Sequence, residues 1–198
     1  MNLDVAVAVS LFAVVSSITP GPNNLMLMTS GMNFGVRKTV PHIVGVSAGF
    51  SFMMLVVGLG LGRVFEAFPV AHTVLRVASV AYLLYLAFKI ATTTTAPTPT
   101  AASTTAKPMG FLGAAAFQWV NPKAWTMSMT AVTAYVPKES TSTLLLVVLM
   151  FGLINLPCCS VWALAGVHLR RWLSSPRRLR VFNVVAALAL VASLIPML

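Results

Sequence analysis

The sequence is poor in charged residues, and above all in acidic ones. Asp and Glu together number three among 198 residues, and charged residues make up 8% of the chain against 58% hydrophobic residues. A soluble domain carries about 25% charged residues, so this composition excludes a soluble globular protein. The composition instead indicates an all-α integral membrane protein.

Cysteine and histidine are also scarce, which leaves few ligands for a metal ion. Cys158 and Cys159 are adjacent within an apolar stretch, where they are poorly placed for a disulfide or a metal site. We interpret both as small apolar core residues. His42 and His72 lie near basic residues at the edges of apolar runs, so we expect them to face lipid headgroups or solvent. The sequence therefore predicts no metal site and no cofactor.

Basic residues outnumber acidic ones and give a net charge of +10. They lie in short stretches between apolar runs, which is typical of membrane topology and not of a nucleic-acid-binding surface. The N-terminus has Asp4 and no basic residue before its apolar run, so we do not expect a cleaved signal peptide.

Six apolar runs are candidates to cross a bilayer, for which about 20 residues are needed. A tract rich in Thr, Ala and Pro, residues 91–108, separates the third run from the fourth and is predicted to be a linker. We therefore predict one three-helix repeat in residues 1–90 and a second in residues 109–198. Because three spans per half reverse the direction of entry, the halves would form an inverted repeat, as in many transporters. The predicted spans are 5–28, 40–61, 70–90, 110–134, 143–167 and 181–198.

The basic residues are distributed unevenly over the predicted loops. Nine lie on one side of the six-span arrangement, whereas Arg63, Arg76 and Lys138 lie on the other. The positive-inside rule then places the linker in the cytoplasm and both termini outside the plasma (inner) membrane. The nine residues are Arg37, Lys38, Lys89, Lys107, Arg170, Arg171, Arg177, Arg178 and Arg180.

The first run is interrupted midway by Thr-Pro-Gly-Pro-Asn-Asn at residues 19–24. Each proline lacks an N–H group and clashes with the preceding turn, so we expect the helix to break there. Broken backbone at membrane depth is tolerated only where it is buried in protein or lines a cavity, so this hexapeptide predicts a site. The alternative is a simple proline kink that binds no ligand.

The fourth run repeats this pattern with Gln118, Asn121, Pro122 and Lys123 near its middle. A lysine at the centre of a span costs about 2.5 to 3.5 kcal/mol on insertion scales, so Lys123 should face a cavity or a partner. The alternative is that the span lies closer to one membrane surface, so that the long side chain of Lys123 extends to that surface. The fifth run has a further weak point at Asn155 and Pro157.

Together these patterns resemble the LysE/RhtB superfamily of amino-acid exporters over nearly the whole chain. The resemblance is carried by residues 19–24, the pair Gly45 and Gly49, Asn121 with Lys123, and Trp-Ala-Leu-Ala-Gly at residues 162–166. Residues 155–166 and the basic stretch beyond them are most similar to the cysteine and O-acetylserine exporters of the RhtB branch. The resemblance implies a transporter and not an enzyme, with export driven by the proton gradient.

One departure from the family bears on the substrate. The basic-amino-acid exporters have an aspartate after the second glycine of the second span, whereas this chain has Phe50 after Gly49. A buried cationic side chain would have no partner, at a cost of several kcal/mol. We therefore expect a small neutral amino acid, of the threonine and homoserine or cysteine and O-acetylserine kind.

The two broken helices are expected to meet near the midplane and to bind the substrate there. Gly45 and Gly49, in GxxxG spacing, are predicted to pack against another helix. Two rival functions remain open, a metal-ion exporter and a thiol-redox protein that uses Cys158 and Cys159. A homo-oligomeric state is also open. The predicted substrate-binding residues are Thr19, Pro20, Gly21, Pro22, Asn23, Asn24, Gln118, Asn121, Pro122, Lys123 and Asn155.

Overall fold

A computed structural model describes residues 1–61, 69–92, 108–137, 140–172, 175–192 and 194, and within these the protein is all α-helical. A π-helical turn, Val57–Leu61, extends the third helix, and a 3-10 turn, Gln118–Val120, follows the fifth. His72 belongs to the fourth helix, and the linker prediction falls mostly on residues 93–107, outside the described part. The α-helices are α1 Leu3–Ile18, α2 Pro22–Phe34, α3 Val36–Val56, α4 Pro69–Ala91, α5 Phe111–Phe117, α6 Pro122–Tyr135, α7 Thr141–Trp172 and α8 Pro176–Ala192.

The predicted break in the first apolar run is confirmed. Thr19 and Gly21 have extended backbones, and the axes of α1 and α2 are bent by 57°. Pro22 occupies the first turn of α2, where its missing N–H is not needed by the helix. The same residues that end one helix therefore begin the next.

The predicted break in the fourth run is also present. Asn121 is extended, and its Oδ1 accepts a hydrogen bond of 3.2 Å from the backbone N–H of Lys123 as the N-cap of α6. By contrast, α7 continues through Pro157 without interruption, so the weak point predicted there does not break the helix. A single proline removes one backbone hydrogen bond, whereas residues 20–22 disrupt the turn from three consecutive positions.

Several helices begin earlier than the apolar runs indicate. Gly35 has a φ of 78° and turns the chain so sharply that α3 begins at the next residue. Arg37 and Lys38 therefore lie in the first turn of α3 and not in a loop. Likewise, α8 begins at Pro176 and includes Arg177, Arg178 and Arg180. Apolar runs mark the part of a helix that faces lipid or core, but helices extend into the polar flanks.

By length and composition, two described helical stretches could each cross a bilayer, Val36–Gly60 and Thr141–Arg170. The bent pair α1 and α2 would be a third if it forms one broken span. Shorter apolar stretches, Arg76–Phe88 and Phe111–Val120, belong to α4 and to α5 with its 3-10 turn. The six-span arrangement therefore stays a prediction.

The helices of the two halves pack against each other. Long helix α7 contacts α1, α2 and α3, while α3 also packs on α5, and α4 packs on α8. The largest buried cluster contains Val9, Met53, Trp125 and Phe151, from α1, α3, α6 and α7. This packing brings the breaks of the first and fourth runs toward the same region.

Candidate functional site

Two glycines position the broken first run against α7. A Cβ atom on Gly31 of α2 would overlap with the backbone of Ala163, and one on Gly166 of α7 would overlap with the backbone of Met28. In the same stretch of α7, Trp162 donates an Nε1–H hydrogen bond of 3.0 Å to the carbonyl of Ile18, at the end of α1. Residues 162–166 therefore hold both sides of the break.

Gly45 and Gly49 allow a second close approach. A Cβ atom on either would overlap with α5 backbone atoms, at Phe111 for Gly45 and at Ala115 for Gly49. These contacts bring α5, and so the second break, close to α3. Backbone contact of this kind is what small residues at four-residue spacing permit.

A small cavity lies where the two breaks meet. The start of α2 contributes Gly21, Asn23 and Asn24, and the start of α6 contributes Asn121 and Lys123. The volume of the cavity is about 30 Å³, which is enough for more than one water molecule. At the start of α2, the backbone N–H groups of Asn23 and Asn24 have no hydrogen-bond partner within the described residues, as is usual in the first turn of a helix. At the start of α6, the N–H groups of Lys123, Ala124 and Trp125 are instead bonded to Asn121.

Lys123 connects the two breaks directly. Its ammonium group donates hydrogen bonds to the carbonyl of Thr19 (2.6 Å), the hydroxyl of Thr19 (2.8 Å) and the carbonyl of Pro20 (3.3 Å). These carbonyls are left free where α1 ends, and the negative end of the α1 dipole also favours a cation there. A Cβ atom on Gly21 would lie 2.8 Å from Lys123 Cδ, so glycine leaves room for the lysine.

The asparagines after the first break have different partners. Asn23 forms a reciprocal amide pair with Gln118, with N···O distances of 2.8 and 3.2 Å. Asn24 is buried, and its Nδ2 donates to the carbonyls of Ser17 and Thr19, both at 2.8 Å. Asn23 therefore joins the two breaks, whereas Asn24 stabilises the end of α1.

Polar groups on α1 and α7 also line the cavity. Asn155 is buried, and its Oδ1 accepts an S–H hydrogen bond of 3.4 Å from Cys159. Ser17 is 4% exposed, and its Oγ has no hydrogen-bond partner within the described residues. An unpaired buried hydroxyl costs free energy unless water or a ligand pairs with it, so Ser17 is available to a ligand.

The structure thus brings most of the predicted residues together. Gly21, Asn23, Asn24, Asn121, Lys123 and Asn155 line the cavity. Thr19 and Pro20 lie behind Lys123, Gln118 lies behind Asn23, and Pro22 and Pro122 begin the two helices.

Sequence reasoning missed seven lining residues. Ser16 and Ser17 lie just before the break and could have been found by their small polar side chains. Apolar residues of α3 and α6 carry no such signal, because ordinary core residues have the same composition. The missed lining residues are Ser16, Ser17, Val46, Phe50, Ala124, Met127 and Cys159.

The structure buries His42 and both cysteines. His42 was expected to face headgroups or solvent, but it is only 2% exposed, so that prediction is wrong. Gly35 starts α3 before His42, so the histidine lies in the second turn and on a packed face. Cys158 and Cys159 are unpaired and buried as expected, although Cys159 also lines the cavity. Within the described residues, no group of three or more His, Cys, Asp or Glu side chains could hold a metal ion.

Comparison with known proteins identifies the family. The profile of the family described as LysE type translocator matches residues 14–193. Proteins named cysteine/O-acetylserine efflux protein from Escherichia coli strain K12, E. coli O9:H4 strain HS and Shigella flexneri are each 31% identical to the chain. Each match extends over 188 residues, 91% of this chain and 90% of the relative. No solved structure matches the chain. Because the family profile covers nearly the whole sequence, this multi-pass membrane protein belongs to the LysE type translocator family.

Proposed function

We propose that the protein exports a small neutral amino acid of the cysteine and O-acetylserine kind, driven by the proton gradient. The observation that carries this proposal is the cavity between two helix starts, lined by Asn23, Asn121 and Lys123. Its lining includes no carboxylate side chain within the described residues. The relatives at 31% identity, which are named for efflux of cysteine and O-acetylserine, support the same class of substrate.

The two helix starts offer the α-carboxylate its partners. The free N–H groups at the start of α2 and the positive ends of the α2 and α6 dipoles favour an anion there. Lys123 adds a positive charge, but in the structure its ammonium is already bound to Thr19 and Pro20. When substrate binds, the ammonium group of Lys123 therefore leaves a backbone carbonyl of Thr19 or Pro20 and pairs with the substrate carboxylate. This exchange couples substrate binding to the geometry of the break between α1 and α2.

The cavity also offers partners to a short polar side chain. Ser17 has a free hydroxyl, and Asn155 offers an amide to a hydroxyl, thiol or ester group. Phe50, Val46 and Met127 limit the space beside them. Because no acidic side chain lies among them, a cationic side chain such as that of lysine would be desolvated without a partner.

We also propose that the halves form an inverted repeat of three spans each. Two features support it: both halves begin with a run that is broken before a proline at the first helical position, and packing pairs elements across the halves. Thus α1 packs on α7 while α3 packs on α5, which is the exchange that a pseudo-twofold axis produces.

The substrate can be tested in inverted membrane vesicles with labelled cysteine, O-acetylserine, threonine, homoserine and lysine, under reducing conditions. In such vesicles the bath faces the cytoplasmic side, so export appears as uptake. We expect uptake of the small neutral amino acids, increased when the lumen is acidified, and no uptake of lysine above vesicles without the protein. Uptake of lysine alone would contradict the proposed substrate class.

The membrane orientation can be tested by labelling single cysteines with an impermeant thiol reagent, in a chain with Cys158 and Cys159 replaced by serine. Because most basic residues lie on the linker side, we expect a cysteine at position 2 to react in intact spheroplasts. A cysteine at position 98 should react only after permeabilisation. The reverse pattern would mean that the proposed topology is inverted.

A further inference from the structure

We propose that His42 binds the proton that moves inward during export; this inference rests on the proposed proton-driven function. The exporter needs a group that gains and loses a proton, yet the described residues contain one acidic side chain, Asp4, in the exposed first turn of α1. Histidine is the side chain whose ordinary titration falls nearest to neutral pH. Within the part of the chain that the structure describes, a buried imidazole is therefore the candidate proton site.

His42 has the burial expected of such a site. It is 2% exposed, and its Nδ1 has no hydrogen-bond partner within the described residues. By contrast, His168 near the end of α7 is exposed, and its Nδ1 lies 2.9 Å from the carbonyl of Leu164. A buried ring nitrogen without a protein partner is open to a water molecule or a proton.

The position of His42 along α3 links it to the cavity. Val46 and Phe50 line the cavity, and His42 precedes them at the same four-residue spacing, so all three lie on one face of the helix. The rise from His42 to Val46 is about 6 Å. His42 therefore lies one turn from the cavity, on the side of Gly35 and the basic residues that we place in the cytoplasm.

A buried pair of hydroxyl groups lies beyond His42 on the side away from the cavity. Thr39, three residues before His42, is fully buried, and its Oγ1 lies 3.1 Å from Oγ of Ser30 on α2. Hydroxyl groups can both donate and accept, so they can pass a proton through intervening water. Thr39 and His42 are thus two buried polar side chains on the face of α3 that continues to the cavity.

No described carboxylate faces this path from the helices packed on α3. Neither α2 nor α5 has a charged or titratable side chain. A proton on His42 would therefore have no described carboxylate to hold it, which favours its release. The charged and titratable groups on α3 and on the other helices packed against it are Arg37, Lys38, Lys123, Tyr135, Cys158, Cys159, His168, Arg170 and Arg171.

In each cycle, a free ring nitrogen of His42 takes up one proton from the cavity when the cavity is open to the outside. After reorientation, the imidazolium releases this proton to cytoplasmic water by way of Thr39 and Ser30. The imidazole returns to its neutral form, and no other bond changes. A variant without a titratable group at this position should move substrate but should not couple it to protons.

The test compares His42→Gln and His42→Asn with the matched control His168→Gln, in vesicles with verified equal protein abundance. Three quantities are measured. They are substrate exchange without a gradient, substrate accumulation with an acidic lumen, and the proton flux triggered by substrate, which a pH-sensitive dye trapped in the lumen reports. At one proton per substrate, a gradient of about one pH unit supports about tenfold accumulation. We expect both His42 variants to retain exchange but to accumulate substrate only to the bath concentration, without proton flux, whereas His168→Gln behaves as wild type.

Accumulation and proton flux at the wild-type level in either His42 variant would overturn the inference. Loss of both exchange and accumulation in the two His42 variants would also overturn the inference. In that case His42 would be needed for packing and not for coupling. If the wild-type protein itself shows no accumulation with an acidic lumen, the proposed proton-driven function fails instead. The wild-type measurement therefore separates the two failures.

Discussion

Replacing Lys123 with methionine is expected to reduce export by about 10- to 100-fold in protein of normal membrane abundance. A hydrogen bond to a charged group contributes roughly 1.5 to 3 kcal/mol, and each 1.4 kcal/mol changes affinity about tenfold. Methionine has a similar length and fits an apolar span, so the helix should still form. Initial rates of uptake into inverted vesicles measure the effect.

Three comparisons separate the proposed substrate contact from the contacts of Lys123 with Thr19 and Pro20. Lys38→Met removes an exposed lysine in the first turn of α3 and should leave export unchanged. Lys123→Arg keeps the charge but changes its geometry, so partial activity is expected. Wild-type protein should also be inhibited by serine more strongly than by serinamide, which lacks the carboxylate, and Lys123→Met should lose this difference. Wild-type export by Lys123→Met would mean that the lysine only caps α1.

Gly166→Ala is expected to lower the stability of the protein by more than about 2 kcal/mol, or to prevent its accumulation. The added methyl group would overlap with the carbonyl of Met28, which belongs to the backbone of α2 and cannot move aside as a side chain could. The helices would have to separate, and the contact of Trp162 with the end of α1 would be lost. The fraction of detergent-solubilised protein that stays monodisperse after heating measures this change.

Gly113→Ala is the matched control for this substitution. Gly113 is exposed on α5, and the nearest atom to an added Cβ is Cγ of the Met109 side chain, at 3.2 Å. In a helix, alanine is favoured over glycine by up to about 1 kcal/mol, so Gly113→Ala should be neutral or stabilising. Equal stability of the two variants would show that α2 and α7 do not need glycine at their crossing.

The two helix breaks could be predicted from sequence because their causes are local. Proline at positions 20, 22 and 122 cannot donate a backbone hydrogen bond, and the adjacent asparagines can satisfy the groups that are left free. The limits of the helices were less predictable. Gly35 and Pro176 start helices within polar stretches, and hydropathy alone does not reveal where such helices begin.

The partners of the polar side chains could not be predicted in the same way. Lys123 was expected to need a partner within the span, but the sequence does not show that this partner is the carbonyl of Thr19, some hundred residues earlier. The role of residues 162–166 was equally hidden. Only the crossing of α2 and α7 shows that Gly166 admits the backbone of Met28 and that Trp162 reaches Ile18.

By itself, the sequence determined the membrane class, the positions of the breaks and the polar residues beside them, because composition and local backbone chemistry are properties of short segments. The tertiary structure decided that His42 is buried, that Ser17 and Cys159 line the cavity, and that Lys123 closes the break between α1 and α2. These outcomes depend on which helix faces pack together. That choice is made by close contacts between distant segments, such as Gly31 against Ala163 and Gly49 against Ala115, which no local pattern specifies.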